Sequence, residues 1–213
     1  MFDSSENDYT SVEYWDSRFK EEEAYEWIAD YKQFSELIVK ELKQNDRILH
    51  VGCGNSQLSF QLYSTGFKNI TNLDYSTVLI EKLSESNTEM KWICDDMRSL
   101  EKVESESFDV VIEKATIESL LANEKSVWTF SESAQSDLRS TLASIHRVLK
   151  PGGTFISISF TPPYFRVNYL IEQKWNIEVK EFGEGFHFYF YKMIKGSEPN
   201  LEELENYLRV NRN

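Results

Sequence analysis

Apolar positions along the chain change their spacing near residue 48. Before it they recur at helical intervals. Trp15 and Phe19 are four apart and share a face of a helix over 12–19. Trp27, Tyr31, Phe34, Leu37, Ile38 and Leu42 keep a period close to 3.6, which predicts a second helix over 27–42. Beyond residue 48, short apolar runs alternate with amphipathic stretches. Residues 48–51, 70–73, 91–94 and 108–112 read as strands, the last rich in Val and Ile as a strand buried on both faces should be. Between them, Leu58, Leu62 and Tyr63 mark a helix that stops at Gly66, and Ser76 is placed to cap a helix over 77–86. Residues 131–149 carry Leu138, Leu142, Ile145, Val148 and Leu149 at helical spacing, and Lys150-Pro151-Gly152-Gly153 stops them. A fifth strand follows over 155–160. Strands over 175–179 and 188–194, joined through Gly183 and Gly185, predict an antiparallel hairpin, and Leu201, Leu204 and Leu208 a short amphipathic tail.

Strands alternating with helices imply an α/β chain with a mainly parallel sheet and helices on both faces. Ligands then bind beyond the carboxyl ends of the strands. At 213 residues, with no repeat or linker, the chain reads as one domain over 12–196 between a flexible N-terminus (1–11) and a helical tail (197–213).

Composition narrows the partners. With 36 acidic and 23 basic side chains the formal charge is −13, which disfavours a nucleic-acid partner and favours a basic protein or small cation. Two cysteines, Cys53 and Cys94, are too few for a disulfide scaffold or a Cys-rich zinc site. The three histidines, His50, His146 and His187, stand too far apart for a local metal motif, so no metal is expected. With no apolar run near ~18 residues and no secretory n-region or h-region, no membrane association is expected. The default is a cytoplasmic protein, expected to be a monomer.

Candidate chemistry sits at consecutive strand ends. Gly52 and Gly54, in His50-Val51-Gly52-Cys53-Gly54-Asn55-Ser56, let the backbone pass close to a ligand. Gln57 stands where a dinucleotide fingerprint has its third glycine, which weakens a nicotinamide or flavin reading. Asp74, closing the second strand, can accept hydrogen bonds from both ribose hydroxyls. Asp96 can take an adenine amino proton, and the Met97 N–H can meet a ring nitrogen. Together they point to an adenosine with no need of a diphosphate.

These segments, with Leu73-Asp74-Tyr75-Ser76, Phe108-Asp109-Val110-Val111-Ile112-Glu113-Lys114 and Val148-Leu149-Lys150-Pro151-Gly152-Gly153, resemble class I S-adenosylmethionine-dependent methyltransferases. The Gly-Cys-Gly-Asn-Ser loop, Tyr14-Trp15-Asp16, Glu113-Lys114-Ala115-Thr116 and Gly185-Phe186-His187-Phe188 resemble more narrowly the elongation factor 1-alpha lysine methyltransferases, over about 12–196. The resemblance implies a Rossmann-like fold with a seven-stranded sheet, S-adenosyl-L-methionine as cofactor and elongation factor 1-alpha as the basic protein partner. It places Gly52 against the methionine portion, Asp74 and Tyr75 on the ribose and adenine side, Asp96 and Met97 on the adenine edge and Lys114 beside the methionine part. Trp15, Phe19 and Trp27 would form an aromatic lid. Phe19 stands where relatives often have Tyr, and Ala115 where glycine is usual.

Such a reaction is an in-line displacement at a sulfonium methyl, so the protein must chiefly align nucleophile and methyl and exclude water. A lysine with a reference pKa near 10.4 is under ~0.1% neutral at pH 7, an obstacle of roughly 4–5 kcal/mol. Glu113, Glu118 and His187 are candidates for guiding the lysine or accepting its proton. Thr161-Pro162-Pro163-Tyr164 reads as a turn shaping the substrate rim. A small-molecule methyltransferase and a non-catalytic cofactor-binding scaffold remain alternatives.

Overall fold

The alternation expected from residue 48 onward is realised in the computed structural model, which describes residues 8–173 and 175–209. Two helices, α1 (Val12–Glu21) and α2 (Tyr31–Glu41), precede β1 (Ile48–Val51), α3 (Leu58–Ser64), β2 (Ile70–Asp74), α4 (Thr77–Ser86) and β3 (Lys91–Cys94). Then come β4 (Phe108–Lys114), α5 (Thr116–Leu120), α6 (Glu132–Val148), β5 (Leu149–Ser159), α7 (Pro163–Leu170), a 3-10 turn, β6 (Asn176–Phe182), β7 (Phe188–Ile194) and α8 (Leu201–Arg209).

The strands form one seven-stranded sheet in the order β3-β2-β1-β4-β5-β7-β6. Only β7 runs against its neighbours, pairing antiparallel with both β5 and β6. The chain leaves β1 on one side for β2 and β3, then returns to lay β4 on the other, with Ile48 opposite both Ile70 and Val110. The topological switch therefore lies between β1 and β4, the place where open α/β sheets bind ligands.

Alternation along the central strands sends side chains into two cores. Leu49, Val51, Val111 and Phe155 pack with Leu138, Leu142 and Ile145 of α6 and Val167 and Leu170 of α7. Ile48, Val110, Ile112 and Ile156 pack on the other face with Phe34 and Ile38 of α2 and Leu58 and Leu62 of α3. The helices start where short polar side chains can cap them. Ser76 Oγ accepts from the Leu79 N–H at 3.2 Å and Ser131 Oγ from the Ala134 N–H at 3.3 Å.

Several boundaries move, each for a physical reason. Trp27 lies outside α2, because Asp30 and Gln33 form a capping box that starts the helix at Tyr31. β5 starts at Leu149 rather than at 155, through a register shift between Phe108 and Val110 that takes up Pro151-Gly152-Gly153. Pro163 opens a helix instead of extending a turn, since proline suits a first helical turn. The expected flexible N-terminus falls for 1–7 outside the described residues. Tyr9, within the same stretch, is packed: its carbonyl accepts from Trp15 Nε1 at 2.9 Å and its ring lies 5.9 Å from that of Trp27.

Ala115, between β4 and α5, is left-handed at φ 64. That conformation costs a non-glycine residue on the order of 1 kcal/mol. Ala115→Gly is therefore expected to raise the thermal midpoint by about 1–3 °C in a calorimetric melt. A lowered midpoint would show that the methyl group's contacts outweigh the strain.

Candidate active site

The carboxyl ends of β1 to β4 open onto one cavity of about 610 Å³, within the roughly 300–1,000 Å³ typical of small-molecule sites. Gly52 and Gly54 line it from the turn after β1, and Asp74 and Tyr75 from the end of β2. Asp96 and Met97 line it from the loop after β3, and Lys114 from the end of β4. Trp15 and Phe19 of α1, with Trp27, close it from the N-terminal side. The structure thus gathers every residue expected on the cofactor side around a single space.

The two loop glycines have different reasons. Both have positive φ, 57° at Gly52 and 50° at Gly54. A Cβ at Gly52 would come within 2.1 Å of Thr116 Cγ2, so this glycine is required by packing against α5. A Cβ at Gly54 would meet only Phe19 Cζ, at 3.7 Å, so it would stand in the gap between loop and aromatic lid. That gap is a cradle left open for a ligand.

Asp74 is 5% exposed, and it ties the loop to the sheet. Its Oδ2 accepts from the Gly54 N–H at 2.9 Å and its Oδ1 from the Ser76 N–H at 3.0 Å. Burial pushes its carboxyl up to about 6, against the opposing pull of these bonds. Each oxygen keeps acceptor capacity beyond them. Asp96 is held by Arg98, whose Nη2 lies 2.6 Å from Oδ2. Burial favours the neutral acid there, but the Arg98 hydrogen bonds outweigh it and hold the carboxyl below its usual range.

Lys114 is buried and paired. Its Nζ donates to the Trp27 carbonyl at 2.6 Å and pairs with Glu26 Oε2 at 2.9 Å. The Glu26 carboxylate also accepts from the Gln57 N–H at 2.5 Å and from the Ser56 hydroxyl. One ion pair thus joins the end of β4, the glycine loop and the lid. Trp15 and Phe19 stack at 5.5 Å, and the Arg18 guanidinium sits 4.7 Å from the Trp27 ring centroid. His50, beneath the loop, is kept neutral: burial, then the nearby Lys114 charge, pushes it down to about 3.

Of the three residues expected near the acceptor, only Glu118 lines the cavity. Glu113 does not reach it. It is fully buried, accepts from the Thr116 N–H at 3.0 Å and pairs with Arg166 at 2.5 Å, so it is part of the frame. His187 does not reach it either. It sits in the β6–β7 turn with an exposed side chain against Glu181, while its neighbours Phe186 and Phe188 line the cavity instead. Sequence reading passed over Glu26 and Arg166. An arginine among the apolar positions of PYFRVNYL in α7 was the available signal. Glu26 carried none, being one acid among Glu21, Glu22 and Glu23.

A methyltransferase domain family matches residues 49–157. Mouse EEF1A lysine methyltransferase 4 is 37% identical over 204 residues, covering 92% of this chain and 80% of that protein. The chain belongs to the eEF1A lysine methyltransferase family. Human eEF1A lysine and N-terminal methyltransferase is 30% identical over 190 residues, 85% of this chain but 26% of that longer protein. In fold, a SAM-dependent methyltransferase from Methanosarcina mazei superposes with a TM-score of 0.57 at 18% identity, covering 76% of this chain and 98% of that one. The [4+2]-cyclase SpnF does so at 0.58 and 14%, covering 89% and 94%.

As a member of the eEF1A lysine methyltransferase family the protein is an S-adenosylmethionine-dependent methyltransferase. The cavity suits that cofactor. It offers a cradle at Gly54, carboxylates at two strand ends, and aromatic faces able to meet a sulfonium cation. Among the described residues no group of His, Cys, Asp and Glu could hold a metal, and no helix is long and apolar enough to cross a membrane.

Arg166 is expected to carry much of the stability of this region, because its removal strands Glu113 and Glu118 without a counter-charge. Arg166→Met should lower the free energy of unfolding by about 3–5 kcal/mol in urea titration. A loss under about 1 kcal/mol would mean that the carboxylates simply take up protons instead.

Proposed function

We propose that this enzyme transfers methyl groups to a lysine side chain of translation elongation factor 1A in the cytoplasm. The observation that carries the reading is the extent of the likeness to mouse EEF1A lysine methyltransferase 4. At 92% of the chain it takes in much more than the 49–157 methyltransferase domain. The charge of −13 is consistent with a basic protein partner.

In this reading Asp74 holds the ribose hydroxyls, Tyr75, Asp96 and Met97 bound the adenine, and the gap at Gly54, beside Gly52, admits the methionine portion. Lys114 acts through Glu26 to keep the lid of Trp15, Phe19 and Trp27 closed over it. When bound, S-adenosylmethionine supplies an already activated methyl group. The chain's own residues orient it, exclude water and present the acceptor lysine in line. Phe160 and Phe186 are exposed at the cavity rim, and a substrate that covers them would desolvate the lysine and so lower the cost of the neutral amine.

Incubation of recombinant elongation factor 1A with the enzyme and methyl-labelled cofactor should place the label on a lysine located by mass spectrometry. Absence of label from every lysine of elongation factor 1A would overturn the reading. Ribose hydroxyls donate to the ionised form of Asp74, whose carboxyl burial raises to about 6. Cofactor affinity should therefore be flat above that pH and fall about tenfold per pH unit below it in calorimetric titration. Asp74→Asn should bind weakly with no such slope; a wild-type slope in that variant would remove Asp74 from the role.

A further inference from the structure

Glu118 is the one acid of the cavity wall whose two oxygens are treated unequally. It extends from α5, directly after the Lys114-Ala115 turn, with a side chain 11% exposed. Its Oε1 accepts from Arg166 Nη1 at 2.7 Å, from the Thr161 hydroxyl at 3.3 Å and from the Ser159 hydroxyl. Its Oε2 is buried and has no hydrogen-bond partner among the described residues. Three donors on one oxygen fix the rotamer, and the other oxygen is left with its acceptor capacity unused. A buried polar atom of this kind calls for an explanation in a partner it meets during function.

The charges around it define that partner. Arg166, fully buried on α7, faces both Glu113 of β4 and Glu118. Tyr169 of α7 and Tyr191 of β7 are the other titratable groups facing the cluster, and burial raises the pKa of both phenols and keeps them neutral. The one guanidinium is shared between the two acids, and burial pushes the Glu113 carboxyl above its usual range. The surrounding wall is apolar. Phe160, just beyond the end of β5, and Phe188 of β7 line the same cavity as Glu118. A carboxylate oxygen without a donor, on a side chain that lines the cavity, fits a cation.

We propose that Glu118 Oε2 accepts a hydrogen bond from the ammonium group of the acceptor lysine and orients it, with Arg166 as the positioning residue that clamps Oε1. The inference rests on the reading of the acceptor as a protein lysine. It concerns how the lysine is recognised on arrival and adds no proton-transfer step.

The test uses the full chain, recombinant elongation factor 1A and Glu118→Gln, which keeps the shape and removes the charge. The acceptor KM should rise at least about tenfold, while the dissociation constant for S-adenosylhomocysteine stays within about twofold. Because an ionised neighbour stabilises the ammonium, its removal should also move the midpoint of the kcat–pH profile to lower pH, a shift that a merely structural role would not produce. A variant with wild-type KM and an unmoved midpoint would overturn the proposal. Binding to the wild-type enzyme provides a second readout that needs no folded variant. Elongation factor 1A with the acceptor lysine replaced by methionine should bind at least about tenfold more weakly, and equal binding would overturn the proposal. If the wild-type enzyme labels no lysine of elongation factor 1A, the substrate reading has failed. If it labels one and Glu118→Gln matches it, only the role of Glu118 has failed.

Discussion

Glu113 and Lys114 close β4 side by side, both buried, and the pleat sends them to opposite faces of the sheet. A buried charge must find an opposite one, and these two find theirs in different parts of the chain. Lys114 meets Glu26 of the N-terminal segment at 2.9 Å, and Glu113 meets Arg166 of α7 at 2.5 Å. One strand end therefore fixes the lid on one face and the α5–α7 wall on the other. The cavity lies between what each charge holds.

This arrangement explains why the site is built from distant segments while its frame is continuous. Glu26 accepts from Gln57 as well as from Lys114, so the lid cannot settle without setting the first turn of α3 and the glycine loop. Asp74 repeats the device from β2, with Gly54 on one oxygen and Ser76 on the other. Lys82 extends it to α4, donating to the Phe19 carbonyl at 3.1 Å and the Glu22 carbonyl at 3.2 Å. Ile28, left-handed at φ 72, adjoins the same junction. A β-branched residue holds that conformation only where its surroundings over-determine it, and here the Lys114 bond to Trp27 does so.

The sheet was legible in the sequence because its signals are local. Apolar runs ending at Gly52, Asp74 and the Asp95-Asp96 pair mark strand, turn and chemistry within a few residues of one another. The residues that line the cavity from the strand ends were legible for the same reason, since strand ends converge at a switch point whatever the rest of the chain does. What was hidden depends on separation. Glu26 and Lys114 are 88 positions apart, as 114 − 26, and nothing in the acid-rich stretch around Glu26 distinguishes it. Glu113 and Glu118 looked alike as acids near β4; only Arg166, placed by α7, separates the buried strut from the cavity wall. Trp27 was misassigned because helical periodicity ran through it, and the capping box at Asp30 carried the stronger signal.

The chemistry gives the unequal carboxylate its meaning. S-adenosylmethionine carries a sulfonium, and a lysine arrives as an ammonium, so the reaction begins by bringing two cations together. At about 4 Å and an effective dielectric near 20, their repulsion is on the order of 4 kcal/mol. Lys114, the cation placed where it would add to that repulsion, is neutralised by Glu26. Arg166 stands behind Glu118 and is shared between two acids. Glu118 Oε2 is left without a donor among the described residues while Oε1 is clamped, and in the proposed arrangement it would meet the arriving ammonium. Of the net charge of −13, the proposed arrangement would use a single oxygen, so that its position, rather than the total, would decide which cation the cavity admits.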